Sequence, residues 1–487
     1  MSGGIPDGWE AVIGIEVHVE LLTESKMFCS CKAGFGDEPN VNICPTCLGL
    51  PGALPVPNQT AIDWIARIGM ALNCEISETS IFHRKNYFYA DLPKNYQISQ
   101  FDIPVCHDGW LDVPVDGESV RIGIERAHQE EDTGKSLHMG GGGRIHSATE
   151  TLLDFNRAGV PLVEIVSKPD IRTAAQSRAY AQELRNVILE LDVSDAKLEE
   201  GSMRFDANIS IRPVGQAELG TKVEIKNMNS FRSLERAVAY EIIRQVDEMT
   251  SGGTIIQETR HWDEEAGVTH GMRTKEGSSD YRYFTEPDLV PMVIDAEWQA
   301  RVRATIPELP AARRARYISA GIEPNQAGIL AGAEGAIRTL YDEAVAAGAD
   351  PKAACIWATG EVTAWIRREE RPLADTPMTG PVLAELTAMI ADGQISSSAG
   401  KDVLDGVMRG EGGPRTVAEA RDLLQISDTG AIEAAVDQVL AANPDAVERY
   451  RGGEQKVVGF LVGQVMRATQ GKAEPRLVNG LIMEKLS

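Results

Sequence analysis

IGIEVHVEL, residues Ile13 to Leu21, decides how this sequence is read. Ile13, Ile15, Val17, Val19 and Leu21 alternate with Gly14, Glu16, His18 and Glu20. Period-two alternation predicts a half-buried β-strand. The apolar face needs only a core. The other face sets carboxylate, imidazole and carboxylate in a row, and two readings compete. It is a solvated surface, or it lines a site. Side chains at i and i+2 stand about 7 Å apart and can converge on one cation, and carboxylate oxygen with neutral imidazole suits a divalent metal.

Other segments repeat the pattern. In MRFDANISIR, 203–212, Met203, Phe205, Ala207, Ile209 and Ile211 face one way, and Arg204, Asp206, Asn208, Ser210 and Arg212 the other. PLVEIVS, 161–167, embeds Glu164 in a β-branched apolar run, and TKVEIKN, 221–227, puts Lys222, Glu224 and Lys226 on one face. Such strands predict a sheet that is apolar behind and functional in front. Helices are expected near 173–192 and from Ser230, where Phe231, Leu234, Val238 and Ile242 fall at core spacing. From about residue 296 the chain reads as helices separated by Gly, Pro and Asn breaks, including alanine-rich runs around 330–350 and 430–442. The expected class is α+β, with a mostly antiparallel sheet over 1–295 and all-α segments over 296–405 and 406–487. The one low-complexity piece, Met139 to Gly143, is expected at a hairpin tip or loop.

With 487 residues the chain is too long for one ordinary core. Its composition is globular, with 43% hydrophobic and 25% charged residues. A formal net charge of -24 argues against a general nucleic-acid coat protein and leaves room for RNA binding through a local basic patch. No apolar run reaches the ~20 residues that span a bilayer. MSGGIPDGWE has neither the basic nor the apolar region of a signal peptide, so a cytoplasmic protein with no membrane partner is expected.

Four of the seven cysteines are clustered. Cys29 and Cys31 form a CxC pair, Cys44 and Cys47 a CxxC pair, with twelve residues between the pairs. That spacing reads as a structural Zn²⁺ site in an insertion at 29–47, closed to chemistry by its four thiolates; the alternative is four free thiols near a loop. Cys74, Cys106 and Cys355 read as buried or isolated. A second acidic cluster, His128-Gln129-Glu130-Glu131-Asp132, ends the alternating RIGIERA run. Adjacent acids repel unless a cation lies among them, and with Glu16, His18 and Glu164 they supply ligands for one or two Mg²⁺ ions. A solvated acidic turn is the alternative. Thr133-Gly134-Lys135-Ser136 imitates the end of a phosphate-binding loop, but Gln129 stands where that motif needs glycine. HRKNYFYADLPKNYQISQFD, 83–102, interleaves bases with aromatics, as phosphate holding and base stacking require and as a polar loop pinned by aromatic packing also does. From Arg449 onward seven basic residues outnumber three acidic ones, a candidate contact for a phosphate backbone or an ordinary solvated helix face.

Taken in order, IGIEVHVEL, NICPTCLGLPGALPVPN (42–58), KNYFYADLPKNYQISQFD (85–102), HQEEDTGKS (128–136), DFNRAGVPLVEIVSKPD (154–170), EGSMRFDANIS (200–210), KVEIKNMNSF (222–231) and EGSSDYRYFTEPDLVP (276–291) resemble the B-subunit family of tRNA-dependent amidotransferases. GFLVGQVMRATQGKAEPRLVNGLI, 459–482, resembles that family's tail. The resemblance implies a glutamine-synthetase-like cradle domain, then a helical domain and a tail that touches tRNA. It implies a heterotrimer with an amidase (glutaminase) subunit and a small third subunit. The implied reaction is amidation of Glu-tRNA(Gln), and in many bacteria Asp-tRNA(Asn), with ATP and Mg²⁺ activating the misacylated carboxylate. On that reading Glu16, His18, Glu130 and Glu164 hold Mg²⁺, and Glu131 sits where ammonia reaches the site. The polar stripes of their strands, more than the resemblance, assign Arg204, Asp206, Asn208 and Lys226 to phosphates or the aminoacyl end, and zinc on Cys29, Cys31, Cys44 and Cys47 is architectural. No amidase signature is present; Ser396-Ser397-Ser398-Ala399-Gly400 does not match one, so ammonia is expected from a partner. Two rivals are an RNA-independent ligase for a small carboxylate and a non-catalytic zinc-bearing tRNA-binding module. RNA dependence separates the first, and tolerance of changes at Glu16 and Glu130 the second.

Overall fold

The computed structural model describes residues 5–115, 117–140, 148–274, 281–425, 429–469 and 472–486. The glycine run expected as a hairpin tip lies largely outside the described residues, as does 276–280 of the 276–291 motif.

The strands that build the site are β1 (Trp9–Glu20), β2 (Glu75–Ile76), β3 (His83–Asn86), β4 (Tyr96–Ser99), β5 (Cys106–Val115), β6 (Glu118–Glu131), β7 (Pro161–Ser167), β8 (Met203–Pro213), β9 (Val223–Lys226), β10 (Glu258–Asp263) and β11 (Val268–Thr274). Nine of them form one sheet, in the order β11-β10-β9-β8-β1-β7-β6-β5-β2. All neighbours are antiparallel except β9 and β10, which run parallel. β1 lies at the centre, as its alternation requires: Ile13, Ile15, Val17 and Val19 are fully buried on the apolar face. Helices α1 (Gln59–Ala71), α2 (Ala174–Glu190) and α3 (Phe231–Thr250) contribute Ile65, Leu184 and Leu234 to the same core. α3 starts where its sequence says it should, because the Ser230 side chain accepts from Ser233 N and satisfies one otherwise unpaired amide. α2 is capped the same way by Thr173 on Gln176 N.

The chain divides into two compact units, Met1–Pro310 and Ala311–Ser487. The first is the mixed α/β unit just described. The second is helical and carries two apolar clusters, one from Tyr317 to Ala418 and one from Ile432 to Leu486. Its alanine-rich runs form helices at Gly335–Ala346 and Thr429–Ala442. Among the described residues, no helix is long and apolar enough to cross a membrane.

Candidate functional site

Register decides which polar side chains meet. On β1, Glu16 stands opposite Asp206 and His18 opposite Arg204 of β8; on its other side His18 stands opposite Glu164 of β7. Glu164 in turn faces His128 of β6, and Asn208 faces Glu224 of β9. Because side chains alternate, these pairs share the face away from the core. The polar stripes of five strands thus become one continuous floor.

The floor holds two carboxylate groups. In the first, ligand atoms of His18, Glu130 and Glu164 lie within 4.8 Å of one another. His18 Nε2 is 3.3 Å from Glu164 Oε2. Lys85 of β3 donates to Glu130 Oε1 at 3.0 Å and Ser99 Oγ to the same oxygen at 3.2 Å. In the second, Glu16, Asp206 and Glu224 also lie within 4.8 Å of one another. Lys226 donates to Asp206, and its ammonium stands 3.6 Å from Glu224. Glu16 is fixed by Asn208 Nδ2 at 2.8 Å, while Asn208 Oδ1 is buried with no hydrogen-bond partner among the described residues. Of the four residues expected on Mg²⁺, three therefore meet directly, and Glu16 joins Asp206 and Glu224 beside them.

The electrostatics follow from crowding. Burial alone raises every carboxyl here. At Glu164 it is outweighed by His128 and His18, which hold the group well below the usual range. At Glu130 it is outweighed chiefly by Lys85, which holds the carboxyl at about 2. At Glu16 burial, then Glu164, Asp206 and Glu224, outweigh the opposing pull of His18 and push it up. His18 is raised: burial disfavours its imidazolium, but Glu164 and Glu130 win. Two carboxylate-rich donor sets suit hard divalent cations. A pocket of about 580 Å³ opens over this floor, lined by His18, Arg204, Asp206 and Lys226 together with 198–201 and 227–229. That volume is in the range of small-molecule sites.

Glu131 takes another direction. Its neighbour Glu130 belongs to the first group, so alternation turns Glu131 away from it. Lys94 donates to Glu131 Oε1, as does Ile98 N at 2.8 Å. Arg204 is held by Asp132 at 3.0 Å. Three participants escape a reading of the site from sequence alone. There Lys85 is one base among several, Glu224 part of a stripe, and Glu20 a member of the polar row of β1 with no role of its own. Burial first, then Asp132, raises Glu20 to about 8. Period-two parity points to Glu20 and Glu224; nothing in the sequence brings Lys85 to Glu130. Conversely Arg84, within the basic-aromatic stretch, is taken up by Glu286 at 2.7 and 2.8 Å.

The cysteines converge as their spacing predicts. All four sulfurs lie within 4.8 Å of one another, with Cys44 and Cys47 Sγ 3.9 Å apart. Tetrahedral zinc with Zn–S near ~2.3 Å sets sulfurs about 3.8 Å apart, so the cluster fits the ion. A hydrogen bond from Cys29 is the main reason the Cys47 thiol falls to about 4, while Cys29 itself is raised. A thiolate is thus already favoured at the knuckle.

The molecule therefore carries two carboxylate-rich donor sets and one cluster of four cysteines on an α/β scaffold, each of which could hold a metal ion. The GatB/GatE catalytic domain family matches residues 11–300, and the GatB domain family matches 339–486. B subunits of aspartyl/glutamyl-tRNA(Asn/Gln) amidotransferases are similar along their whole length. That of Carboxydothermus hydrogenoformans is 47% identical over 480 residues, covering 98% of this chain and 99% of its own. Those of Moorella thermoacetica and Frankia casuarinae are each 50% identical, covering 98% of this chain and 100% and 96% of their own. This chain belongs to the GatB/GatE family of amidotransferase B subunits.

Proposed function

We propose that this chain activates the side-chain carboxylate of Glu-tRNA(Gln), Asp-tRNA(Asn) or both with ATP, and then amidates it. The observation that carries this is the pair of adjacent carboxylate groups on one sheet floor beneath a pocket. A carboxylate resists ammonia because its oxygen leaves badly. In the first step a carboxylate oxygen bonds the γ-phosphorus of ATP and the bond to ADP breaks. In the second, ammonia bonds the acyl carbon, phosphate leaves, and a proton is lost. Both partners of the first step are anions, so the floor must offset their charge.

Mg²⁺ supplies that neutralisation when bound. His18, Glu130 and Glu164 are the residues to hold one ion, and Glu16 with Asp206 and Glu224 to hold a second. Lys226 and Arg204 orient phosphate oxygens over the pocket, and Asp206 and Asn208 fix the positions of Lys226 and Glu16. Glu131, with Lys94, serves where ammonia reaches the site. Zinc on Cys29, Cys31, Cys44 and Cys47 orders the 29–47 insertion. Residues 1–295 form the glutamine-synthetase-like cradle, 296–405 a helical domain and 406–487 a tail that contacts tRNA. The partners are an amidase (glutaminase) and a small third chain in a cytoplasmic heterotrimer, and ammonia comes from the glutaminase.

ATP hydrolysis by the chain with its partners, with and without Glu-tRNA(Gln), tests the reading in wild type and Glu16→Gln. Hydrolysis should require the misacylated tRNA and disappear in the variant. Hydrolysis indifferent to tRNA would favour a small-carboxylate ligase. Bound tRNA with no hydrolysis would favour a binding module.

A further inference from the structure

Lys26 is unusual in being a lysine only 1% exposed. Its ammonium is held at three points. It donates to Asn42 O at 2.8 Å and to Phe155 O at 3.2 Å, and stands 3.7 Å from Cys47 Sγ. Two of these lie in the cysteine insertion. The third lies in the turn at 155–160, which leads into β7 and Glu164. The backbone makes the same junction: Met27 N donates to Gly159 O at 2.8 Å and Gly159 N to Asp132 O at 2.9 Å. Asn156 repeats it with side-chain bonds, accepting from Asn42 N at 2.8 Å and donating to Glu38 O at 2.7 Å.

Gly159 marks where the parts meet. Its φ of +87° already favours glycine, and a Cβ there would stand 3.5 Å from Lys26, 3.6 Å from Cys47 and 3.7 Å from Glu131 Oε2. Knuckle, turn and Glu131 are therefore packed around one backbone position. A buried ammonium is costly unless paired, and two carbonyl dipoles compensate it only in part. A four-thiolate zinc site carries two negative charges, and an N–H···S contact from a fixed cation is what such a site lacks from neutral surroundings.

We propose that Lys26 is a positioning residue: it ties the metal-loaded knuckle to the 155–160 turn and thereby fixes Glu131. Loss of the tie lets the turn shift at Gly159, next to Glu131 Oε2, while the His18–Glu130–Glu164 group keeps its own ties to Lys85 and Ser99. The inference rests on the zinc and amidation readings above. Its consequence is selective. Amide transfer should suffer more than ATP cleavage.

The test uses the full chain assembled with its partner chains, as wild type and as Lys26→Met, which keeps the length of the side chain and removes its donors. Zinc content and chelator competition report the knuckle, and amide formed per ATP hydrolysed reports the coupling. Lys26→Met should bind zinc about 10- to 100-fold more weakly. Its amide-to-ATP ratio should fall at least about two-fold at unchanged Mg²⁺ half-saturation, a split that general loosening would not give. Asn156→Ala cuts the second strap without touching Lys26, and should lower the ratio even where Lys26→Met does not fold. Wild-type zinc affinity and ratio in both variants would overturn the proposal. Weaker zinc with an unchanged ratio would confine Lys26 to metal retention and overturn the link to Glu131. A wild-type chain without zinc would remove the zinc reading and this inference with it. Wild type that holds zinc but lacks tRNA-dependent hydrolysis would instead remove the amidation reading, and the ratio with it.

Discussion

Replacing Glu164 by glutamine tests the floor most directly. The substitution keeps shape and removes one negative charge from a side chain 9% exposed. In wild type, His18 Nε2 lies 3.3 Å from Glu164 Oε2. Unit charges at that distance attract by about 5 kcal/mol at an effective dielectric of about 20. Burial of the imidazolium and repulsion of Glu164 from Glu16 oppose this, so the net loss should be about 1.5–3 kcal/mol, the worth of a hydrogen bond to a charged group. The pH dependence is distinctive. His18 is raised in the folded state, so its contribution is full below its ordinary value of 6.5 and disappears as pH rises through the folded one. Glu164 is lowered, so its contribution is present above 4.5 and is lost as pH falls toward its folded value. The stability gap between wild type and Glu164→Gln should therefore be widest between about pH 4.5 and 6.5 and should narrow on either side. Urea unfolding in Mg²⁺-free buffer across that range measures it. A gap that does not change with pH would refute the His18–Glu164 pairing. Activity gives a second arm: loss of a metal oxygen worth several kcal/mol should slow tRNA-dependent ATP hydrolysis by about 100-fold or more. Undiminished hydrolysis would remove Glu164 from the metal set.

Lys226→Met removes the ammonium beside Asp206 and should raise the KM for ATP about 10- to 100-fold; an unchanged KM would take Lys226 away from the phosphates. Arg84→Met strands Glu286, which is fully buried, and should cost about 3–5 kcal/mol while leaving Mg²⁺ half-saturation as in wild type. If stability holds by urea titration, the pair is not structural. Cys44→Ser should lose most bound zinc by elemental analysis, and retention of one zinc per chain would place the metal elsewhere.

Much of this site can be read from periodicity, and the limits of that reading have physical causes. Alternation in β1 and β8 puts Glu16, His18, Arg204, Asp206 and Asn208 on the right face, because a strand buried on one side cannot slip by one residue without inverting every side chain. Spacing locates the cysteine cluster, because metal geometry restricts loop length. Register stays hidden. Nothing in β1 alone says that Glu16 meets Asp206 while His18 meets Glu164, so one expected set of four ligands becomes two neighbouring groups. The parallel pairing of β9 with β10 is hidden for the same reason, since it depends on the chain that intervenes. Lys85 belongs to a strand outside the main sheet and reaches Glu130 only through tertiary packing.

The consecutive pair Glu130-Glu131 shows what such a strand can accomplish. A helix would place the two residues about 100° apart on one surface; an extended strand sends them in opposite directions. Glu130 accordingly meets Lys85 and the histidines, and Glu131 meets Lys94. In the proposed reaction, two reagents must reach one carboxyl group at different times, ATP at its oxygen and ammonia at its carbon, and ammonia must not meet the phosphoryl-transfer ions first. Carboxylates on either side of a single strand satisfy both demands over a few ångströms. Each keeps its own lysine, so charge can change on one side without discharging the other. That separation predicts independent failure: Glu131→Gln should lower amide formed per ATP, and Glu130→Gln should stop ATP cleavage itself. If both variants lose the two activities in equal measure, the strand does not divide the chemistry.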